Sequence, residues 1–187
     1  MQVSILCGGK SSRMQSEKGL VLYQNKTFIE HIIEAVLQIS KTVQLITNGS
    51  DYDYLPYRKI KDIIIDKGPI GGIYSALVNS ETEMNLILSC DIPLISTKML
   101  QQLVEKHNSS FDVSIFEETN RIHPLIGIYS KNMLPVLEKA IDENELKMMQ
   151  FISNANHQLI WIEDENKYLF QNINSLVELD ELNTKYK

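Results

Sequence analysis

Gly8-Gly9-Lys10-Ser11-Ser12-Arg13 combines a bend free of Cβ obstruction, consecutive backbone N–H donors, two hydroxyls and positive charge, and Lys18 adds a further cation against Glu17 alone. Backbone dipoles and cations gathered in one loop suit a polyphosphate. The loop is not a Walker A sequence, because Ser4 stands where its first glycine would be needed, and it lacks the second glycine of a dinucleotide-binding G-x-G. A surface loop with solvated lysines is the bland alternative. Asp91 follows an apolar run and precedes Pro93, which places its carboxylate at the mouth of a sheet unless it merely caps a turn. Asn48 offers a donor and an acceptor on one amide, enough to read a base edge or a ribose hydroxyl, but beside Gly49 it also reads as a turn former. Gly68-Pro69-Ile70-Gly71-Gly72 couples a rigid turn to two unobstructed backbone approaches, a common and weak signal taken alone. His31, His107 and His157 have no second ligand at i+4, and Cys7 and Cys90 lack metal-ligand spacing.

These residues need elements to hold them. Val3 to Cys7 reads as a strand running into a long polar loop, and Val43 to Thr47, Ile60 to Ile65 and Leu86 to Cys90 as further strands covered on both faces. Phe28, Ile29, Ile32, Ile33, Val36 and Leu37 follow a helical rhythm, with Thr27 and Glu30 spaced as a capping box. Ile70 to Val78 and Met99 to His107 are helical candidates, the latter capped by Ser96 and burying Met99, Leu100, Leu103 and Val104. Past residue 110, Val113 to Phe116 and Leu125 to Tyr129 can pair as β, Asn132 to Ile141 and Leu146 to Ile152 read as helices, Leu159 to Ile162 as a last strand and Glu178 to Tyr186 as a closing helix. Alternating strands and helices predict a three-layer α/β/α sandwich around a mainly parallel, Rossmann-like sheet. Ligands bind such sheets at the carboxyl ends of the strands. Gly8 to Lys18, Asn48-Gly49, Asp66 to Gly72 and Asp91 all fall there in this reading.

The 187 residues, 43% of them apolar and 22% charged, fit one domain with a core of its own. A net charge of −6 excludes a broad basic field for nucleic acid or anionic membrane. No apolar run reaches the roughly 18–20 residues of a membrane span. The start Met1-Gln-Val-Ser-Ile-Leu lacks the features of a signal peptide, so a reducing, cytoplasmic setting is expected.

Leu6-Cys7-Gly8-Gly9-Lys10-Ser11-Ser12-Arg13-Met14, followed by Lys18, resembles the L-A-G-G-x-S-x-R-M-G-x-x-K signature of the MobA-type nucleotidyltransferases, the group related to molybdenum cofactor guanylyltransferase. The resemblance continues through Thr47-Asn48, Asp66, Gly68 to Gly72, Cys90-Asp91-Ile92-Pro93, His123-Pro124 and Phe170-Gln171-Asn172-Ile173-Asn174. Cys7 stands where that family usually has alanine, and Gln15 where it usually has glycine. The resemblance implies a nucleotide-diphospho-sugar transferase-like fold, with residues 1–110 as the nucleotide half and 111–187 as the acceptor half of one domain. It also implies in-line displacement at the α-phosphorus by an acceptor oxygen that is already anionic. Such a reaction rests on positioning and charge neutralisation, without a strong general base.

By the same resemblance Arg13, Lys18 and Asp91 are catalytic, and Asp91 binds Mg²⁺, whose hard oxygen preference a carboxylate meets. Leu6, Cys7, Gly8, Gly9, Lys18, Asn48, Asp66, Gly71, Gly72 and Asp91 would hold GTP. His123, Asn172 and Asn174 would face the acceptor, with Asn174 also able to complete the metal site and Lys147 a further candidate for phosphate. The implied reaction is GMP transfer from GTP to molybdopterin cofactor, with cofactor-synthesis proteins or molybdoenzymes as transient partners. Cytidylyl transfer to the same cofactor, nucleotidyl transfer to a sugar phosphate and a noncatalytic GTP-binding module are the alternatives.

Overall fold

The computed structural model describes residues 1–8, 10–11 and 16–185, excluding the side chains of 10, 11 and 16. Arg13 and Gly9 therefore lie outside the described residues. Seven strands make the main sheet: β1 (Gln2–Leu6), β2 (Val43–Ile46), β3 (Arg58–Ile60), β4 (Met84–Ser89), β5 (Val113–Glu118), β6 (Arg121–Ser130) and β7 (His157–Trp161). Their order is β7-β5-β6-β4-β1-β2-β3. β1 runs parallel to β2 and β4, β2 to β3, and β5 to β7, while β6 is antiparallel to both its neighbours.

Alternation along the central strands fills two cores. Val3, Ile5, Leu86 and Leu88 face α1 (Phe28–Val36) and α3 (Thr97–Lys106), whereas Leu6, Ile46 and Ile87 face α2 (Gly68–Val78), α4 (Leu134–Asp142) and α5 (Met148–Asn154). Helices on both faces complete the expected three layers. The Thr27–Glu30 capping box is formed at the start of α1, and Ser96 accepts from Met99 N at the start of α3. A third small cluster joins Val21, Tyr23 and Phe28 to Ile173 and to Leu182 of α6 (Leu176–Lys185). It ties the segment after the N-terminal loop to the far end of the chain.

Three sequence expectations change. The strand expected over Ile60 to Ile65 is Arg58–Ile60, because its only neighbour β2 ends at Ile46 and leaves nothing for later residues to pair with. Ile63 and Ile65 are exposed, and Asp66 does not end the strand but stands beyond it in a left-handed turn with φ 61°. Val104 is exposed, so only Met99, Leu100 and Leu103 form the buried face of α3. The β5–β6 pair is longer than the apolar runs implied, and its register jumps between His123 and Gly127. Pro124, which has no N–H for a ladder, sits in that bulge. Gly127 is required where the ladder resumes, since a Cβ there would lie 2.5 Å from Ile115 Cγ2.

Candidate active site

β1 and β4 are neighbours in parallel register, with Leu6 opposite Ser89, so Gly8 and Asp91 emerge side by side at the carboxyl edge of the sheet. Beyond Gly8 the backbone forms a small hairpin, Lys10–Ser11 against Ser16–Glu17, and returns into a single 3₁₀ turn, Lys18–Leu20. That return places Lys18 over Asp91. Its Nζ donates to Asp91 Oδ2 at 3.0 Å and to Asn174 Oδ1. The other carboxylate oxygen, Asp91 Oδ1, accepts from Ser89 Oγ at 2.6 Å and from Asn172 Nδ2 at 2.8 Å. Side-chain exposures of 21% for Lys18 and 10% for Asp91 mark a pair sheltered from bulk water yet open on one side.

Asn172 and Asn174 come from a distant stretch, and packing explains their arrival. Phe170 is fully buried and lies edge-on to Phe116 with ring centroids 4.8 Å apart, while Ile173 is anchored in the third core cluster. Ile173 N donates to Asp91 O at 2.9 Å. In this extended segment Asn172 and Asn174 alternate with Ile173, and both meet the Lys18–Asp91 pair.

Gly19, next to Lys18, is buried against Tyr52; a Cβ there would lie 2.5 Å from the tyrosine oxygen. Only glycine lets the turn settle so closely on this fully buried ring. Cys7 and Cys90 are free and buried. Burial, then the adjacent Cys90 thiol, pushes the Cys7 thiol well up, so it remains protonated and serves as packing.

Residues 3–159 match the MobA-like NTP transferase domain. The chain belongs to that family. A probable molybdenum cofactor guanylyltransferase from Flavobacterium johnsoniae is 58% identical over 179 residues, covering 96% of this chain and 94% of that protein. The structure of molybdopterin-guanine dinucleotide biosynthesis protein A from Archaeoglobus fulgidus superposes with a TM-score of 0.84 at 22% identity, covering 99% of this chain and 98% of the other. A nucleotidyl transferase from Methanothermobacter thermautotroptrophicus gives a TM-score of 0.75 at 15% identity over 98% of this chain and 96% of its own. The fold is that of the nucleotide-diphospho-sugar transferases, and this MobA-like chain is a nucleotidyltransferase.

Within the MobA-like frame, Lys18, Asp91, Asn172 and Asn174 form one hydrogen-bonded group. Gly8 is exposed with open space where a Cβ would stand, as a phosphate cradle requires. The other sequence candidates are placed differently. Leu6 and Cys7 are buried, with the Cys7 N–H donated to Ile46 O and Leu6 O accepting from Cys90 N. Asn48 spends both ends of its amide on Asp62, donating to Oδ2 at 2.8 Å and accepting from its N–H at 2.9 Å. These bonds tie the loop after β2 to the segment after β3.

Gly71 and Gly72 do not face an open pocket through their missing side chains. A Cβ at Gly71 would lie 2.8 Å from Lys67 Cβ, so glycine there lets the start of α2 pack closely, while a Cβ at Gly72 would be in ordinary contact with Leu6 at 3.4 Å. Asp66 is exposed and Lys147 is exposed at the start of α5. His123 is buried, bonded to Glu118 Oε1 at 2.9 Å, and packed on Phe170 with centroids 5.1 Å apart. Burial, with nearby Arg121, holds its imidazole below its ordinary value despite the carboxylate. Sequence reasoning missed Ser89, Gly19, Tyr52 and Arg121. The first two adjoin motif residues and were findable by proximity alone.

Proposed function

We propose that the chain transfers GMP from GTP to the terminal phosphate of molybdopterin cofactor, giving the guanine dinucleotide and pyrophosphate. The observation that carries this reading is the group formed by Lys18, Asp91, Asn172 and Asn174, in a chain 58% identical to a probable molybdenum cofactor guanylyltransferase. Residues 1–110 would hold the nucleotide and 111–187 the acceptor, the two meeting where Asp91 touches Asn172.

A divalent metal fits the donors present. Asp91 Oδ2 and Asn174 Oδ1 already converge on one cation, the Lys18 ammonium. Among the described residues no group of three or more His, Cys, Asp or Glu is gathered for a metal. Asp91 with the Asn174 carbonyl would therefore hold Mg²⁺, with phosphates and water completing the shell that this ion prefers. Bound Mg²⁺ would neutralise charge on the triphosphate.

Lys18 provides a cation on a long flexible stem that can leave Asp91 for a phosphate oxygen. Arg13 is assigned to the same phosphate-holding role. Ser89 and Asn172 keep Asp91 oriented through its other oxygen while Lys18 changes partner. No residue need remove a proton, since the attacking phosphate is already anionic. The reaction is assigned to the cytoplasm; among the described residues no helix is long and apolar enough to cross a membrane. Proteins that deliver the cofactor or receive the product would be transient partners.

The test is incubation with Mg²⁺, the metal-loaded cofactor and GTP, CTP or ATP in turn, following pyrophosphate and dinucleotide together. GTP should give both products in equal amounts and the other nucleotides far less. CMP transfer at the GMP rate would overturn the guanine assignment.

A further inference from the structure

At the tip of the β5–β6 hairpin stands a guanidinium that the chemistry above does not use. Arg121 Nη2 donates to Asn172 Oδ1 at 3.0 Å. On its other side Asn172 Nδ2 donates to Asp91 Oδ1 at 2.8 Å. We propose that Arg121 is a positioning residue for the transfer reaction: it fixes which end of the Asn172 amide faces Asp91, and through that amide it orients the carboxylate. The inference rests on Asp91 belonging to the transfer site.

The two ends of an asparagine amide have nearly the same shape, but one only accepts hydrogen bonds and the other only donates. A guanidinium can only donate, so it selects the oxygen end and leaves the NH₂ group for Asp91. Reversal of the amide would set its carbonyl oxygen against a carboxylate oxygen, an unfavourable contact in a site only 10% exposed at Asp91. Asp91 is held by donors at both oxygens: Ser89 and Asn172 on Oδ1, Lys18 on Oδ2. Lys18 is the partner that must be able to leave. Ser89 and Asn172 then keep the carboxylate in place, and of these two only Asn172 has an orientation that another residue must choose.

The position of Arg121 is itself set by the fold. Thr119 and Asn120 make the turn, Asn120 adopts φ 61°, and Arg121 pairs directly with Glu118. Glu118 Oε1 is engaged by His123 at 2.9 Å, while Lys167 braces the turn through Thr119 Oγ1 at 3.3 Å. The tip is thus fastened to both the strand pair and the segment preceding Asn172. Arg121 itself is exposed, which lets it be replaced at little cost to the core.

Two measurements test the proposal. In ¹⁵N-labelled protein without substrates, Arg121→Ala should displace and broaden the side-chain amide signals of Asn172 while those of Asn48 stay in place. This readout does not depend on which base is transferred: lack of GMP transfer by the wild type would defeat the proposed function, while displaced Asn172 signals would still support, and unmoved ones overturn, the hold of Arg121 on the amide. In turnover, Arg121→Ala and Asn172→Ala should each lower kcat roughly 10–100-fold, the usual cost of losing such a supporting partner, with the KM for GTP and the thermal midpoint almost unmoved. The double variant should be no slower than Asn172→Ala alone, because Arg121 acts only through that amide. Multiplying losses would mean that Arg121 meets the acceptor directly, and unmoved Asn172 signals in Arg121→Ala would mean that it does not hold the amide; either result overturns the proposal.

Discussion

On the proposed reading Lys18 contributes more to turnover than to folding. Its pair with Asp91 is mostly sheltered and open on one side, so its loss should fall between the about 0–1 kcal/mol of an exposed pair and the about 3–5 kcal/mol of a buried charge left unpaired. Asp91 also keeps Ser89 and Asn172 when the ammonium is removed. Lys18→Ala should therefore lower kcat by roughly 10²–10³, with the thermal midpoint shifted by only a few degrees, as steady-state kinetics beside calorimetry would establish. At this scale the sequence was informative wherever a side chain sat in a compact motif. Lys18, Asp91, Asn172 and Asn174 were all legible, and they meet. Arg121 and Tyr52 were not, because their contacts join residues far apart in the chain, and no spacing encodes them. The Asn48 contact was equally hidden: its amide is paired with Asp62 of another loop, a partner that no spacing around Asn48-Gly49 points to.

The elements that carry these side chains are held by close approaches that glycine permits. At Gly19 the turn bearing Lys18 lies on the Tyr52 hydroxyl, so Gly19→Ala should cost about 1–3 kcal/mol, the usual range for overpacking, and should shift Lys18 enough to slow transfer. Adding Tyr52→Phe removes the atom nearest the new methyl and should restore part of both losses; urea titrations and rates of the single and double variants would show it. Gly72→Val should lower stability by a similar amount by pressing on Leu6, while the folded fraction keeps its KM for GTP. A raised KM at unchanged stability would instead place Gly72 against the nucleotide. Most elements were legible because their periodicity and caps were strong, as at Thr27 and Ser96. The apolar residues Ile63 and Ile65 misled the reading of β3, whose length is set by its partner strand and not by its own composition.

Across the whole molecule the parallel order of β1 to β4 brings Gly8 and Asp91 to one edge, and this was foreseeable from alternating strands and helices. The antiparallel direction of β6 was not, because an apolar strand reads alike in either direction. That hairpin carries His123, whose burial favours the neutral imidazole against Glu118, with Arg121 acting in the same sense as burial. The unfolded chain then binds the proton first as pH falls below the ordinary value of 6.5, so stability present above that pH is lost on the way down to the lower folded value. His107, also held down by burial, adds a loss of the same sign. The urea midpoint should fall from pH 7 to pH 5, and His123→Gln should flatten that slope. If the proposed function holds, Asp91, presented at the carboxyl edge of the sheet, is required for nucleotidyl transfer itself. The most direct test is single-turnover transfer from GTP labelled at the α-phosphate to molybdopterin cofactor, comparing wild type with Asp91→Asn at equal GTP occupancy verified by calorimetry. Label should enter the dinucleotide with the wild type, and the variant should be at least about 10²-fold slower, partly recovered by raised Mg²⁺; equal rates at limiting Mg²⁺ would show that Asp91 is dispensable.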